Sequence, residues 1–392
     1  MAFRYIVPAM AMAGRALAQC GESGATTTIQ SAADATGLSG CSTYSGSIAI
    51  SSTTTDNINL AGIQRIEGSL IADNVTGIVQ LGASDLEEIG ERFDLNGLTI
   101  LSTLSFPKLA KVDTINWIAL PALQGLTFSQ TGVQEVNMLR IDNTELGSLD
   151  GINLQVADTI YIANNRFLNS VNMQLGNVTE AMTFTNNGAD LVAEFPNLEW
   201  ANNITIRNLS AVSMPSLASV NGSLGFYGNT FENMSCPNLT SVGGSLAFVS
   251  NDQLNNITLP ELTTVSGGFQ IANNTNLETI NGVPKLATVG GALDFTGSFS
   301  GVEIPALEDV RGAFTLLSNQ DIQEVCSNFQ GEAGSAKAIK GTFTCKGNTD
   351  PKDGSATGSG SSSSSSHSAA SPILIPGATG VLGVIAAIFG LL

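Results

Sequence analysis

The 392-residue chain has one histidine, His367, and it stands beside a run of serines. Ser-His-Asp and Cys-His chemistry need a histidine against the nucleophile, and Cys/His metal sites need several such ligands. Both classes are excluded from the outset. Charge is scarce as well: 12% of residues are charged, 15 basic against 33 acidic, for a net charge of −18. No basic stripe is present that would hold nucleic acid. Helical periodicity is also missing, because no window of the central region repeats apolar residues at helical spacing over three turns. Cysteine is limited to five residues.

What the chain does have is repetition. Between residues 209 and 319 one pattern is written five times. Leu209-x-x-Val212-x-Met214-Pro215-x-Leu217-x-x-Val220 is followed by Phe231-x-x-Met234-x-Cys236-Pro237-x-Leu239-x-x-Val242, and the units at Pro260, Pro284 and Pro305 repeat it. The prolines lie 22, 23, 24 and 21 residues apart, within the period range of leucine-rich and β-helical solenoids. A glycine-rich turn and a short alternating strand follow each final valine, as in Gly244-Ser-Leu-Ala-Phe248, and most of these strands close on asparagine: Asn229, Asn251, Asn274, Asn319. Upstream, Leu101 to Val112 is a full copy with Pro107, and Ile118-x-Leu120-Pro121-x-Leu123-x-x-Leu126 reads as most of another. Residues 133–200 are the most degenerate, although Ile160 to Asn164 and Met182 to Asn186 keep the strand-then-asparagine ending.

A coil of about twenty residues cannot bury its own apolar face, so it must stack on a neighbour. Alternating apolar runs supply strands with one inward face. Glycine and asparagine suit the corners, and proline rules out a helix at its own corner. The pattern predicts an all-β fold, a right-handed parallel β-solenoid of about a dozen coils in one continuous domain, with two or three short strands per coil.

Residues 1–18 read as a secretory signal: Arg4 near the start, an apolar stretch from Tyr5 to Ala13, and Ala16-Leu17-Ala18 as a small-x-small cleavage site. In a secreted chain Cys20 and Cys41 read as a disulfide closing the N-terminal cap, and Cys326 and Cys345 as one closing the C-terminal cap. Cys236 is left over, in the pre-proline slot that Phe106, Leu120, Phe195, Met214, Leu259, Val283 and Ile304 fill elsewhere, which predicts a buried thiol packing as a small hydrophobe. The solenoid is expected over residues 19–346. Residues 347–371 form a Gly/Ser-rich stalk with six consecutive serines, too polar to fold and suited to O-glycosylation. Residues 372–392 end in an apolar run with no charge after it. Small residues, a spacer and a short apolar terminus form the pattern of a GPI-attachment signal that is removed. Ser368 of Ser368-Ala369-Ala370 is the expected attachment site, with Gly358 to Gly360 the second choice. A retained tail anchor is the alternative, and the missing basic flank speaks against it.

Nine N-glycosylation sequons stand in the array, at Asn74, Asn177, Asn203, Asn208, Asn221, Asn233, Asn238, Asn256 and Asn273. For catalysis, glycoside hydrolysis needs two carboxylates about 5–10 Å apart. The acids here are scattered, Glu87 and Glu88 would point to opposite faces of a strand, and Asp294 and Asp309 could be neighbours on adjacent coils, as could many solvated carboxylates. No catalytic or metal-binding residue and no cofactor is expected. For recognition, Tyr44, Trp117, Tyr161, Trp200 and Tyr227 are the aromatics able to stack on sugar rings.

A signal peptide, an acidic array of P-x-L-x-x-V coils, terminal cysteine pairs, a serine-rich stalk and a GPI signal together resemble the fungal GPI-anchored cell-wall organisation proteins, a family related to yeast sporulation-specific and extracellular-mutant proteins. Val242-Gly-Gly-Ser-Leu-Ala-Phe248 and Val265-Ser-Gly-Gly-Phe269 carry the likeness most specifically. The resemblance implies a leucine-rich, receptor L-domain-like β-helix. It also implies a non-enzymatic glycoprotein, on the outer face of the plasma membrane and in the wall, that is needed for wall organisation and integrity. Its expected partners are wall polysaccharide or wall proteins, plus the membrane through the GPI lipid, with no nucleic acid. The runner-up is an adhesin or glucan-binding module working through one face of the solenoid, and a β-helical polysaccharide-acting enzyme stands behind it.

Overall fold

The structure, a computed structural model, describes residues 20–348 apart from 130 and 335. The expected signal peptide, nearly all of the stalk and the GPI signal with Ser368 lie outside the described residues. The remainder is a parallel β-solenoid of about 13 turns. Each coil of the repeat region has three strand positions. A two-residue strand such as Ser219–Val220 is followed by a glycine bend, then by a longer strand such as Leu224–Tyr227, and finally by a short strand such as Asn233–Ser235. We refer to these as the first, long and third faces. In the N-terminal half the first two run together into single strands, Glu88–Asn96, Lys111–Leu120, Ile152–Ala163 and Asn177–Thr185, with a register shift where the bend would be. One parallel sheet of 23 strands results, and smaller ladders close the third face.

Two columns of special residues make the stacking possible. At the bend, Gly222, Gly244, Gly267, Gly291 and Gly312 sit one above another, each N–H donating to the carbonyl of the glycine one coil earlier from Gly244 onward, at 2.6–2.9 Å. A Cβ on Gly244 would stand 2.7 Å from the carbonyl carbon of Gly222, and one on Gly291 2.8 Å from that of Gly267, so any side chain there would force the coils apart. The second column lies where the long face ends. Asn74, Gly97, Ala119, Asn143, Asn164, Asn186, Asn208, Gly228, Ser250 and Asn273 all hold φ between 53° and 69°. In these ten coils the left-handed residue turns the chain and puts the next residue inside.

That next position is where the buried asparagines collect. Asn165, Asn187, Asn229, Asn251 and Asn274 are at most 9% exposed. Asn251 Oδ1 accepts from the N–H of Asn229 at 3.0 Å and from Asn229 Nδ2 at 2.9 Å, while its own Nδ2 donates to the carbonyl of Phe226 and to Asn274 Oδ1. The asparagines thus satisfy corner backbone groups that no strand reaches. Asn319 is not part of this column. Its coil has no left-handed residue, so Ser318 is buried in register with Gly297 and Asn319 faces out.

The core is a continuous stack of inward side chains. Leu95, Trp117, Ile141, Ile162, Phe184, Ile206, Phe226 and Phe248 follow one another in ladder register, and the Phe226 and Phe248 rings stack 5.0 Å apart. Disulfides Cys20–Cys41 and Cys326–Cys345 lie at the two ends. Helix α1 (Ala32–Gly37), opened by a Ser31–Asp34 capping box, sits at the first end, and α2 (Gln323–Gln330) lays Phe329 on Phe314 at the other. Cys236 is fully buried, and burial pushes its thiol up to about 12.

One sequence expectation shifts in register. Leu120 follows the left-handed Ala119 and pairs with Thr144, so Pro121 is not at the repeat's proline corner. Phe128 stands in that slot instead, paired with Phe106.

Candidate surface of the long face

The acidic residues weighed for catalysis are not brought together as a pair. Asp294 lies on the long face, in ladder register with Gln270 and Thr315. Burial raises its pKa, and the Thr296 hydroxyl donates to it at 3.3 Å. Asp309 lies on the first face opposite Thr288, held below the usual carboxylate range by hydrogen bonds from Lys340 and Arg311. Glu88 is paired with Arg65 at 2.9 Å. Among the described residues no group of three His, Cys, Asp or Glu is placed to hold a metal ion.

Most basic side chains staple one coil to the next. On the first face Arg65, Glu88, Lys111 and Glu135 follow one another in register, alternating in charge, and Lys111 meets Glu135 at 2.8 Å. Lys108–Asp85, Arg166–Glu145 and Lys285–Glu261 span sequence separations of 23, 21 and 24, one coil each. The hydrogen bond and charge of Lys108 lower the pKa of Asp85, and those of Asp85 raise the pKa of Lys108.

Of the five aromatics considered for stacking, Tyr44 and Trp117 are at most 1% exposed and belong to the core. Tyr161 and Tyr227 stand on the long face, each under a guanidinium: Arg140 at 5.3 Å and Arg207 at 4.1 Å from the ring centroids. Trp200 is on the first face, beside Asn177 in the ladder. Around Tyr161 the long face carries a regular polar lattice. Asn96 donates to Asp73, Asn116 to Asp94 and Asn164 to Asp142, at 2.9–3.0 Å, each bond crossing to a neighbouring coil. Arg140 also reaches Asp142 at 3.0 Å. All of them but Asn164, which stands at the left-handed corner, share a face because alternate positions of a strand point outward and the long-face register runs on from coil to coil.

The sequons are distributed unevenly. Asn74, Asn208 and Asn273 are exposed at the left-handed corner. Asn233 and Asn256 lie on third-face strands, Asn238 follows one, and Asn221 lies in the bend after the first face. The half-buried Asn203 has its amide already bonded, with Nδ2 donating to the Glu180 carbonyl and Oδ1 accepting from the N–H of Ser223. No sequon occurs between Asn74 and Asn177.

A cavity of about 450 Å³ opens on the third face where its ladder breaks, between Phe128 and the segment Leu149–Ile152. Its polar lining is already engaged: Asp150 accepts from Ser148, Asn153 from the N–H of Gln174, and Asn172 donates to Glu194. The long face keeps the richer set of outward polar groups.

A family model described as "Ecm33: GPI-anchored cell wall organization protein" matches residues 1–39. "Protein ecm33" of Aspergillus fumigatus is 43% identical over 92% of this chain and 92% of its own length. A "Cell surface GPI-anchored protein" of Arthroderma benhamiae is 38% identical over 98% of each chain. "Sporulation-specific protein 2" of Saccharomyces cerevisiae is 34% identical over 76% of this chain and 58% of its own length. No solved structure matches.

Proposed function

The chain belongs to the Ecm33 family of fungal GPI-anchored cell-wall organisation proteins, and from that premise we propose that it organises the wall as a non-catalytic, rigid surface rod. It is a cell-surface protein of the wall. The finer reading is that residues 1–18 are removed on secretion, the stalk that begins at residue 347 ends at Ser368, and a GPI lipid on Ser368 replaces all that follows, the signal of residues 372–392 included. The rod then stands off the membrane with its long face toward wall material, polysaccharide or wall protein.

The observation that carries the non-catalytic reading is the placement of Asp294. It is the carboxylate most perturbed toward an acid's role, and its ladder neighbours are Gln270 and Thr315, with no second carboxylate in register. A hydrolase acting through an acid and a base needs that second group. The test has two arms. The purified protein incubated with wall glucan is expected to release no sugar, and Asp294→Ala is expected to restore wall-dye resistance to a null strain as fully as the wild-type chain. Sugar release that disappears with Asp294→Ala would overturn the reading.

A further inference from the structure

Resting on the reading of the chain as a wall-facing rod, we infer that its ligand-binding surface is the part of the long face centred on Arg140 and Tyr161. The ligand is a neutral, hydroxyl-rich polysaccharide chain laid along the solenoid axis.

Three observations converge on this patch. The first is chemical. Asp94, Asn116, Arg140, Asp142, Tyr161 and Asn164 come from four successive coils, and all but Asn164 lie in the two outward columns of the long face. A carboxylate bound to one amide still has lone pairs for hydroxyl donors, and the amide and guanidinium keep N–H groups for hydroxyl acceptors. The Tyr161 ring, with the Arg140 guanidinium 5.3 Å from its centroid, adds apolar surface of the kind that sugar C–H groups pack against.

The second is charge. Asp94 is matched by Asn116 and by Arg92 at 3.7 Å, and Asp142 by Asn164 and Arg140. The carboxylates are thus already met by donors and cations. Neither a cation nor an anion is strongly favoured, whereas a neutral polyol can use every exposed donor and acceptor. The third is glycan geography. The patch lies on coils between Asn74 and Asn177 that contain no sequon, while eight of the nine stand from Asn177 onward. Sugars on the latter would crowd the corner and the third face and leave this part of the long face bare.

The repeat itself favours a polymer over a small ligand. Parallel rungs recur every 4.7–4.9 Å, so a chain of similar sugar units meets a new outward polar side chain at each rung: Asp94, Asn116, Arg140, then Tyr161. Many weak contacts then sum along the chain, as in other repeat proteins with extended binding faces.

The experiment places a glycan on the face itself. Thr183 is the ladder neighbour of Tyr161 and points outward, and Thr183→Asn completes a sequon with Thr185. The full glycosylated protein released from cells is titrated with a soluble linear β-glucan, with a mannan in parallel. Secretion level and unfolding midpoint serve as checks on folding. Binding is expected for the parent, loss of at least about tenfold in affinity for Thr183→Asn, and parent-like binding for Thr183→Gln, which adds no glycan. If mass spectrometry finds Thr183→Asn unglycosylated, the Arg140→Ala/Tyr161→Ala double variant decides, with the same tenfold loss expected. Unchanged glucan binding with the glycan in place would overturn this surface while leaving the wall-rod reading intact. Binding by neither polysaccharide would overturn the ligand class. Self-association that Thr183→Asn abolishes would assign the face to a second copy and overturn the polysaccharide proposal.

Discussion

Removing one rung of the buried asparagine column should cost far more than its size suggests. Asn251→Ala deletes four hydrogen bonds. Two of its partners have other bonds to fall back on: Asn229 Nδ2 still reaches the carbonyl of Ile206, and Asn274 Oδ1 still accepts from the backbone N–H of residue 251. The N–H of Asn229 and the carbonyl of Phe226 lose the partner the asparagine supplied, in a place that water does not reach. At about 1–3 kcal/mol for each buried group left unpaired, with a smaller contribution from the two weakened amides, the expected cost is about 3–5 kcal/mol. Urea unfolding followed by circular dichroism measures it, with Asn276→Ala on the exposed surface of the next coil as control, expected within about 0.5 kcal/mol of wild type. Hydrogen exchange should show the loss concentrated in the coils around residues 226–274, because a solenoid transmits stability mainly between neighbours. A cost below about 1 kcal/mol would refute the claim that the asparagine column supports the corners.

Three further outcomes are expected. Cys236, with its thiol pushed up to about 12 by burial, should resist alkylation at pH 8 in the folded protein and react fully once unfolded; rapid labelling of the native chain would contradict its placement. Asp294→Asn should stabilise the protein at neutral pH. Burial raises the carboxyl above its ordinary 3.8, so ionisation opposes folding above the folded pKa and the penalty fades as pH falls toward and below 3.8; the gain should therefore vanish in acid, and a pH-independent gain would refute the burial argument. The Cys326→Ser/Cys345→Ser double variant should lose about 3 kcal/mol, with exchange protection lost in the last rungs between residues 314 and 346 while rungs near residue 100 keep theirs; uniform loss would refute end-capping.

Much of this architecture is legible in the chain because a solenoid is written in local code. Pro215, Pro237, Pro260, Pro284 and Pro305, with the apolar positions before and after them, mark one corner and two strands of each coil without any long-range information. What escaped reading depends on register. Pro121 looks like a repeat proline, yet it follows a left-handed Ala119, a residue type that announces no positive φ. Asn319 shares its spelling with Asn251, but with no left-handed residue in its coil it faces out instead of in. Leu209 interrupts the asparagine column without any local sign, and its N–H is still met by Asn229 Oδ1 one coil on. The surface proposed for binding was legible only in part. Tyr161 and Tyr227 were among five aromatic candidates, and nothing in the sequence separated them from the buried Tyr44 and Trp117. The Asp–Asn lattice needs the inter-coil register, because its partners stand 22 or 23 residues apart.

The proposed anchoring holds this rod at the cell surface through a lipid that replaces its C-terminus. Its most direct test is release from intact cells by phosphatidylinositol-specific phospholipase C, with glucanase digestion in parallel and mass spectrometry of the C-terminal peptide. Release is expected by the lipase or, after transfer to the wall, by glucanase, with the chain ending at Ser368. Release by neither, together with an intact peptide covering Val381 to Leu392, would contradict it.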